Sequence, residues 1–196
     1  MSEMKELVSS RLPTIYGEFV IDAYDSGRPE LPNLSLRNIV VADVDITNVR
    51  IHSECLTGDI FGSTRCDCGE QLASSMKYIE DHGGVLVYLR QEGRGIGLVN
   101  KLRAYNLQDQ GMDTIRANHA LGFHTDLRTY SSAIEILWHL GIKKINLLTN
   151  NPDKLDAFKD SGIQIVNRIP LTIEPRPENM QYLATKKNAL GHLLAE

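Results

Sequence analysis

Apolar and polar residues alternate along much of the first fifty positions, as in residues 14–21 (TIYGEFVI) and 37–44 (RNIVVADV). Alternation with a period of two residues is typical of strands that bury one face. Gly27, Pro29 and Pro32 interrupt the alternation, and such residues favour a turn or a loop. The pattern therefore predicts mainly antiparallel β-structure over residues 1–50, with a loop around residues 25–34.

The pattern changes in the next part of the chain, where Leu72, Met76 and Ile79 recur at helical spacing. They predict a helix over residues 70–81 that ends at Gly83-Gly84, because glycine commonly terminates helices. The remaining predicted elements are a buried strand at residues 85–89 (VLVYL), a glycine-rich turn at 91–97 (QEGRGIG), a helix to about residue 108, a strand at 144–149, a helix from Asn151-Pro152 to about Asp160, a strand at 163–166 and a helical tail from about Glu178.

Alternation of strands and helices in the later part of the chain predicts βαβ units. We therefore expect an α/β fold with a mixed sheet, formed as a single compact domain over residues 1–196. Its parts are the antiparallel portion (1–50), the core that carries the functional site (51–175) and the helical tail (176–196). Ligands in open α/β sheets lie beyond the carboxyl ends of the strands, so the turns after Leu89 and Leu148 are the expected location of the site.

Composition limits the classes of partner. The net charge of −4 and the isoelectric point near 5.9 argue against a protein that coats nucleic acid, although a few convergent arginines can still bind one small anion. No stretch of 18 apolar residues is present, so no membrane partner is expected. The first ten residues lack an apolar signal region, which predicts a cytoplasmic location.

Cysteine occurs at only three positions, Cys55, Cys66 and Cys68, which lie within fourteen residues of one another. An odd and tightly clustered set favours a metal site over a disulfide framework. Zinc prefers sulfur and nitrogen ligands, and catalytic zinc sites supply three of them and leave the fourth position to water. His52 or Asp59 remains an alternative fourth ligand, and inert core cysteines remain the simpler alternative.

A zinc deaminase is one class of enzyme that this cysteine cluster suggests. Such enzymes combine a His-x-Glu element with a Pro-Cys-x-x-Cys element. His52-Ser53-Glu54 matches the first element, but the later cysteines form Cys-x-Cys with no proline before them. The deaminase is therefore the second hypothesis.

Four longer blocks resemble the GTP cyclohydrolase II family. They are RIHSECLTGDIFGSTRCDCGEQL (50–72), QEGRGIGLVNKLRAYNLQDQGMDTIRAN (91–118), LGFHTDLRTY (121–130) and TNNPDK (149–154). The blocks occur in the order and spacing of the family and cover nearly half of the chain. The resemblance implies hydrolysis of GTP to formate, pyrophosphate and 2,5-diamino-6-(5-phosphoribosylamino)pyrimidin-4-one in riboflavin biosynthesis. It also implies a homodimer, and the lack of a dihydroxybutanone-phosphate synthase segment before residue 1 suggests the monofunctional form.

The resemblance also implies a role for individual residues. It places Zn²⁺ on Cys55, Cys66 and Cys68, with Mg²⁺ on the triphosphate. It makes Tyr105 a proton donor or an orienting group at the purine ring, Asp126 a proton acceptor and Arg128 a nucleophile on the α-phosphate. The residues implied to bind GTP are Arg50, Ile51, His52, Ser53, Glu54, Gln71, Glu92, Gly93, Arg94, Thr114, Thr149 and Lys154.

Physical chemistry supports some of these roles and questions one. A Glu54 carboxylate can pair with N1–H and the 2-amino group of guanine, and Lys154 lies in the first turn of a predicted helix, where an anion is favoured. Arg128 should be a fixed cation, because a guanidinium stays protonated at any ordinary pH. Gly93-Arg94-Gly95 lacks the Gly-Lys-Ser/Thr ending of a P-loop. A regulatory module that binds GTP and keeps zinc for structure is a further alternative.

Overall fold

The computed structural model describes residues 4–28, 30–38, 45–180, 183–185 and 191–193. The strands are β1 (Glu6–Thr14), β2 (Gly17–Tyr24), β3 (Asn33–Asn38), β4 (Thr47–Ser53), β5 (Val85–Leu89), β6 (Lys144–Leu148) and β7 (Gln164–Ile169). The helices are α1 (Leu56–Asp59), α2 (Cys68–His82), α3 (Gly97–Asp109), α4 (Thr114–Ala120), α5 (Ser131–His139) and α6 (Pro152–Asp156), and a short 3₁₀ helix spans Glu92–Gly95.

The seven strands form one mixed sheet in the order β1-β2-β3-β5-β4-β6-β7. The pairs β1–β2, β2–β3 and β3–β5 are antiparallel, whereas β4 pairs in parallel with both β5 and β6, and β6 pairs in parallel with β7. This arrangement confirms the predicted α/β class and mixed sheet. The antiparallel portion ends earlier than residue 50, because β4 begins at Thr47 and both of its neighbours run parallel to it.

The sheet buries apolar side chains on both faces, and alternate residues of β5 show this directly. Val85, Val87 and Leu89 belong to a large cluster that includes residues of α5, whereas Leu86 belongs to a smaller cluster with Met76 of α2. A strand covered on both faces must be apolar at consecutive positions. This explains why residues 85–89 show an unbroken apolar run instead of alternation.

Most predicted elements are present, with shifted ends. Helix α2 begins at Cys68, two residues before the predicted start, and its last residue, His82, is followed by the C-cap Gly83, as expected. Helix α6 begins with Asn151 as its N-cap and Pro152 as its first residue, as predicted, but ends at Asp156. Beyond it the amides of Phe158 and Lys159 bond to carbonyls three residues back, which tightens the chain into turns.

Other regions differ from the prediction or lie partly outside the described residues. Strand β7 starts one residue later and extends to Ile169, and helix α5 was not predicted, although Ala133, Ile136 and Leu137 have helical spacing. Part of the predicted strand at residues 37–44 and part of the predicted helical tail lie outside the described residues. Of the described helices, none combines the length and the apolar character that crossing a membrane requires.

A buried carboxylate ties the three antiparallel strands together. Asp22 of β2 is fully buried and accepts hydrogen bonds from Ser9 of β1 at 2.7 Å, from Ser35 of β3 at 2.6 Å and from the Arg37 guanidinium of β3 at 2.7 and 2.9 Å. Burial alone would raise the pKa of Asp22, but the hydrogen bonds from Arg37, Ser35 and Ser9 outweigh burial and lower this pKa.

Asp22→Asn should therefore lower the free energy of unfolding by about 1–3 kcal/mol near neutral pH, because Arg37 loses its charged partner. A group whose pKa is lowered by folding stabilises the protein above its unfolded pKa and loses this contribution as the pH falls. The difference between the wild type and the variant should thus shrink as the pH drops below the ordinary value of 3.8.

Urea unfolding at several pH values measures this effect. The matched control is Asp45→Asn, since the Asp45 side chain is 77% exposed beside Lys144 and should contribute less than about 0.5 kcal/mol. Equal unfolding midpoints for the two variants near pH 7 would contradict the role given to Asp22.

Candidate active site

A cleft opens at the carboxyl ends of β4, β5 and β6, where Ser53, Gln91 and Thr149 lie in its wall. Its volume is about 1140 Å³, counted together with its open mouth. Parallel strands that end at the same edge bring their following loops together, which is the reason this edge holds the site. Every predicted site residue lines the cleft except Ile51 and Asp126.

Three thiols form one wall of the cleft. The sulfur atoms of Cys55, Cys66 and Cys68 all lie within 4.8 Å of one another, and the Cys55 and Cys66 sulfurs are 3.7 Å apart. Two sulfurs on a tetrahedral zinc, each with a Zn–S bond of about 2.3 Å, would be about 3.8 Å apart. The donor set and its spacing therefore fit zinc.

The backbone at Gly58 makes room for this cluster. A Cβ atom added to Gly58 would lie 3.0 Å from the Cys66 sulfur and 3.2 Å from the Cys55 sulfur. Gly69 likewise faces the Gly58 carbonyl so closely that a side chain there would collide with it. Glycine is thus required where α1 and α2 approach each other, and this approach brings the three thiols together.

His52 and Asp59, the two predicted alternatives for a fourth metal ligand, are hydrogen-bonded to each other. The His52 ring nitrogen Nε2 lies 3.1 Å from both Asp59 carboxylate oxygens, and both side chains are about 3% exposed. Among the described residues, no His, Asp or Glu joins the three cysteines in the group of possible metal ligands. A metal held by the three sulfurs would therefore keep an open position toward the cleft.

Asp59 also connects the two central strands. One of its oxygens accepts a hydrogen bond from the Tyr88 hydroxyl of β5 at 2.8 Å and from the Cys55 amide at 3.0 Å. Burial lowers the pKa of His52, whereas the hydrogen bond and the charge of Asp59 raise it. The effect of burial is the larger one, so the pKa lies below its ordinary value. The neutral ring then donates from Nε2 to Asp59, and its buried Nδ1 has no partner among the described residues.

A buried lysine of the cleft wall contacts the thiol cluster. The Lys101 ammonium is 3.1 Å from the Cys55 sulfur and 2.9 Å from the Glu92 carboxylate. Hydrogen bonds from Cys66 and Cys68, together with the Lys101 charge, lower the pKa of Cys55, whereas the hydrogen bond with Cys55 raises the pKa of Cys66 to about 11. The contact with the Lys101 ammonium therefore favours the thiolate form of Cys55.

Arg50 and Lys154 are buried cations whose head groups already contact the protein. The Arg50 guanidinium donates to the Leu148 carbonyl at 3.0 Å and to Gln71 at 2.7 Å, while its Nε has no partner among the described residues. Burial lowers the pKa of Arg50 to about 10, which still leaves it charged at neutral pH. The Lys154 ammonium donates to the Ile51 carbonyl at 2.7 Å.

Ile51 lies in the core and not in the cleft. Its side chain is fully buried in the larger apolar cluster, and its carbonyl is bonded to Lys154. The predicted GTP contact of Ile51 is therefore restricted to its backbone. Lys154 belongs to a helix of five residues, α6, whose first turn is capped by Asn151.

The glycine-rich turn has an unusual backbone at two consecutive residues. Gly93 and Arg94 both adopt left-handed conformations, with φ near +60°. This conformation is strained for a residue with a side chain, and such strain is often concentrated at functional sites. It directs Arg94 to the cleft wall, while the Arg94 carbonyl accepts the Leu127 amide at 3.0 Å and joins this turn to the segment that contains Arg128.

The Glu92 side chain is occupied by contacts within the protein. One oxygen accepts the Leu56 amide at 2.6 Å, and the other accepts the Gly93 amide at 2.7 Å and the Lys101 ammonium. The Glu92 carboxylate therefore has little remaining capacity to accept hydrogen bonds from GTP, the contact that was predicted for it. Its carboxylate instead joins the turn after β5 to the loop after β4.

Asp126 and Arg128 form a two-pronged ion pair. The Arg128 Nε and Nη2 atoms donate to the Asp126 carboxylate at 2.9 and 2.6 Å, and the Arg128 amide donates to the same group. Although burial would raise the pKa of Asp126, the contacts with Arg128 lower it. Arg128 lines the cleft and Asp126 lies behind it, so the aspartate orients the guanidinium.

Tyr105 of α3 lies beside the thiol cluster. Its hydroxyl is 3.4 Å from the Thr57 hydroxyl, and the Arg65 guanidinium lies 4.9 Å from the centre of its ring. Burial raises the pKa of Tyr105, so the phenol stays protonated near neutral pH. Glu54 follows β4 directly and lines the cleft. Burial raises the pKa of its carboxyl group, although the Arg90 guanidinium lies 3.1 Å from a carboxylate oxygen and opposes this shift.

Several residues of the cleft were not predicted, namely Arg65, Gln91, Ile96, Lys101, Ala104, Gln108, Asn118, Asn150, Asn151, Leu171 and His192. Lys101 and Tyr105 are four residues apart and share one helix face, which is a signal that the sequence carries. Leu171 and His192 come from parts of the chain that show no recognisable motif. Their place in the cleft depends on tertiary packing.

Comparisons with known proteins identify the family of the chain. A model of the GTP cyclohydrolase II family matches residues 5–170. GTP cyclohydrolase-2 of Neisseria meningitidis serogroup C (strain FAM18) is 50% identical over 199 residues, which cover 100% of both chains. The riboflavin biosynthesis protein RibBA of Chlorobium phaeovibrioides is 50% identical over 193 residues, which cover 98% of this chain and 47% of that protein.

Other matches are partial or distant. RibBA of Staphylococcus saprophyticus is 49% identical over 195 residues, and the chain spans about half the length of the RibBA relatives (49% of this one). A solved structure also matches, that of RibBX, a two-domain 3,4-dihydroxy-2-butanone 4-phosphate synthase from A. baumannii. It is 21% identical, with a TM-score of 0.46, and the match covers 89% of this chain and 41% of that one. This likeness is too low to support a conclusion. The match over residues 5–170 and the full-length relative agree: the chain belongs to the GTP cyclohydrolase II family.

Proposed function

We propose that the protein catalyses the zinc-dependent hydrolysis of GTP to formate, pyrophosphate and 2,5-diamino-6-(5-phosphoribosylamino)pyrimidin-4-one, the first committed step of riboflavin biosynthesis. The observation that carries this proposal is a cluster of three thiols, Cys55, Cys66 and Cys68, in the wall of a cleft that cations also line. The names of the relatives, GTP cyclohydrolase-2 and riboflavin biosynthesis protein, support the same activity.

The reaction consumes three molecules of water. One adds at C8 of the purine and opens the imidazole ring, a second releases formate, and a third is used when the bond between the α- and β-phosphates breaks. Zinc on the three thiolates would polarise the reacting groups and lower the pKa of water at the open position. The two sets of bonds lie several atoms apart, so different residues should control ring opening and phosphate cleavage.

Tyr105 and Glu54 serve the purine end in this proposal. Tyr105 lines the cleft near the thiols and stays protonated, which suits a proton donor to the opening ring. Glu54 lines the same cleft, and its carboxylate can accept hydrogen bonds from N1–H and the 2-amino group of guanine. Adenine presents neither donor at these positions, so the contact would select guanine.

Cations and hydroxyl groups serve the triphosphate end. Arg50, Arg94, Arg128 and Lys154 all line the cleft, as do the two predicted hydroxyl-bearing residues, Thr114 and Thr149. Their charges would balance a polyphosphate within a chain whose net charge is −4. Mg²⁺ on the phosphates would offset the remaining negative charge.

Arg128 is assigned here as a clamp for the α-phosphate. Its guanidinium forms two parallel hydrogen bonds with Asp126, an arrangement that favours the charged form. A nucleophilic arginine would have to lose a proton, and a carboxylate with a lowered pKa such as Asp126 is a poor acceptor for it. Asp126 then positions Arg128 instead of deprotonating it.

The proposal extends to the assembly and the location of the enzyme. We propose a homodimer in the cytoplasm whose only substrate partner is GTP, without nucleic acid or membrane. We also propose one functional unit over residues 1–196. Analytical ultracentrifugation of the purified chain measures the oligomeric state directly.

Purified protein incubated with GTP and Mg²⁺ tests the function. Formate and pyrophosphate should both accumulate and ammonia should not. Ammonia without formate would support a deaminase, and tight GTP binding without any product would support a regulatory module. Either of these two results would contradict the proposal.

Cys66→Ser should remove zinc and abolish formate release, because a hydroxyl is a far weaker ligand than a thiolate. Metal analysis, formate release and circular dichroism measure the three expected features: no zinc, no formate and a retained fold. Wild-type protein stripped by a chelator and then resupplied with zinc serves as the control and should recover activity. Full zinc content in the variant would rule out this ligand, and loss of the fold would indicate a structural zinc.

Glu54→Gln should weaken the preference for guanine by about 1–3 kcal/mol, since an amide replaces a charged acceptor in a half-buried site. The measurement is the ratio of kcat/KM for GTP to that for ITP, which lacks the 2-amino group. Glu18→Gln on the exposed face of β2 is the control and should leave this ratio unchanged. If Glu54→Gln leaves the ratio unchanged too, the carboxylate does not contact the 2-amino group.

Tyr105→Phe and Arg128→Lys should separate the two halves of the reaction. Loss of the Tyr105 hydroxyl should slow formate release by about 10²–10⁴-fold while pyrophosphate release persists. Arg128→Lys keeps the charge but loses the planar fork, so it should slow pyrophosphate release. Tyr78→Phe and Arg116→Lys are controls outside the cleft. Equal losses of both products in both variants would indicate one shared step and contradict this division.

A further inference from the structure

Lys101 is a buried lysine, and the burial of its charged ammonium group requires compensating partners. It is 9% exposed, and together with Ala104 it forms the buried face of α3. Removing an ammonium group from water is costly unless charged or polar partners replace the water. Two such partners are present, the Cys55 sulfur at 3.1 Å and the Glu92 carboxylate at 2.9 Å.

Glu92 holds the lysine in this position. Its carboxylate is itself fixed by the amides of Leu56 and Gly93, at 2.6 and 2.7 Å, so it cannot easily turn away. The Lys101 stem packs beside Gly93, where an added Cβ would lie 3.1 Å from the Lys101 Cβ. The turn after β5 therefore accommodates the lysine and directs its ammonium toward Cys55.

The charges of the proposed metal site favour a cation at this point. Three thiolates and one Zn²⁺ together carry one negative charge, which is unfavourable in a largely buried site. A single ammonium in contact with one sulfur offsets that charge. A thiolate that accepts a hydrogen bond also donates less electron density to its metal, and such contacts tune metal sites.

We propose that Lys101 is a positioning residue for the zinc site, which donates a hydrogen bond to the Cys55 thiolate and neutralises the excess negative charge of the three-thiolate cluster. This inference rests on the proposed zinc-dependent function. It gives Glu92 a role toward the metal, as the group that orients Lys101. The hydrogen bond from Lys101 would also reduce the electron density that Cys55 donates, so that a zinc bound by three thiolates could still act as a strong Lewis acid.

Lys101→Met tests this proposal, because it keeps the length of the stem and removes the charge. Zinc affinity, measured by competition with a chromophoric chelator, should fall about 10–100-fold, the usual effect of losing a contact to a metal ligand. In protein loaded with Co²⁺, the sulfur-to-cobalt charge-transfer band should shift relative to that of the wild type. Lys101→Arg keeps the charge and should restore most of the affinity.

Arg103→Met is the matched control, since Arg103 is an exposed cation of the same helix. It should bind zinc like the wild type. Lys101→Gln, a neutral polar variant with the same expected losses, replaces Lys101→Met if the latter does not fold. Wild-type affinity together with an unchanged cobalt spectrum in the neutral variant would overturn the inference.

Failure of the inference can be told apart from failure of the proposed function. If the wild type binds no zinc and releases no formate, the proposed function fails and the inference fails with it. If the wild type binds zinc and releases formate while the neutral variant has unchanged zinc affinity, only the role of Lys101 is wrong.

Discussion

The geometry of the site depends on one buried carboxylate, that of Asp59. Three groups bind to it: the His52 ring at the end of β4, the Cys55 amide in the following loop and the Tyr88 hydroxyl of the neighbouring strand β5. These contacts fix the start of the loop that carries the first cysteine. The close approach at Gly58 and Gly69 then brings the other two thiols to it. Asp59 therefore organises the thiol cluster from behind and leaves the face toward the cleft open.

Electrostatics explain how an acidic protein can hold a polyanion. The net charge is −4, yet buried or half-buried cations line the cleft, and several are fixed by contacts with carbonyls or carboxylates. Arg50 is fixed by Leu148, Lys154 by Ile51 and Arg128 by Asp126. Cations that are already oriented lose little conformational freedom when an anion binds. This preorganisation suits the proposed binding of a triphosphate together with the proposed reaction at the purine, several bonds away.

The sequence predicts much of this arrangement and misses the parts that depend on tertiary packing. The mixed α/β sheet, the turn after Leu89 and the cysteine cluster follow from periodicity and spacing. The pairing of β4 in parallel with its neighbours does not, because a strand's partners are not encoded in its own pattern. Lys101 was missed since a lysine on a helix is usually solvated, and only the packing of α3 against the turn at Glu92 buries it. The contacts of Glu92 within the protein were missed for the same reason.

The proposed function depends on three thiolates that hold zinc and leave one position open toward the cleft. X-ray absorption at the zinc edge on the purified wild-type protein measures the ligand set directly. We expect three sulfur atoms at about 2.3 Å and one oxygen or nitrogen at about 2.0 Å, without the multiple-scattering pattern of an imidazole. A fourth sulfur or a coordinated histidine would show a closed structural site and would contradict the proposed open zinc site.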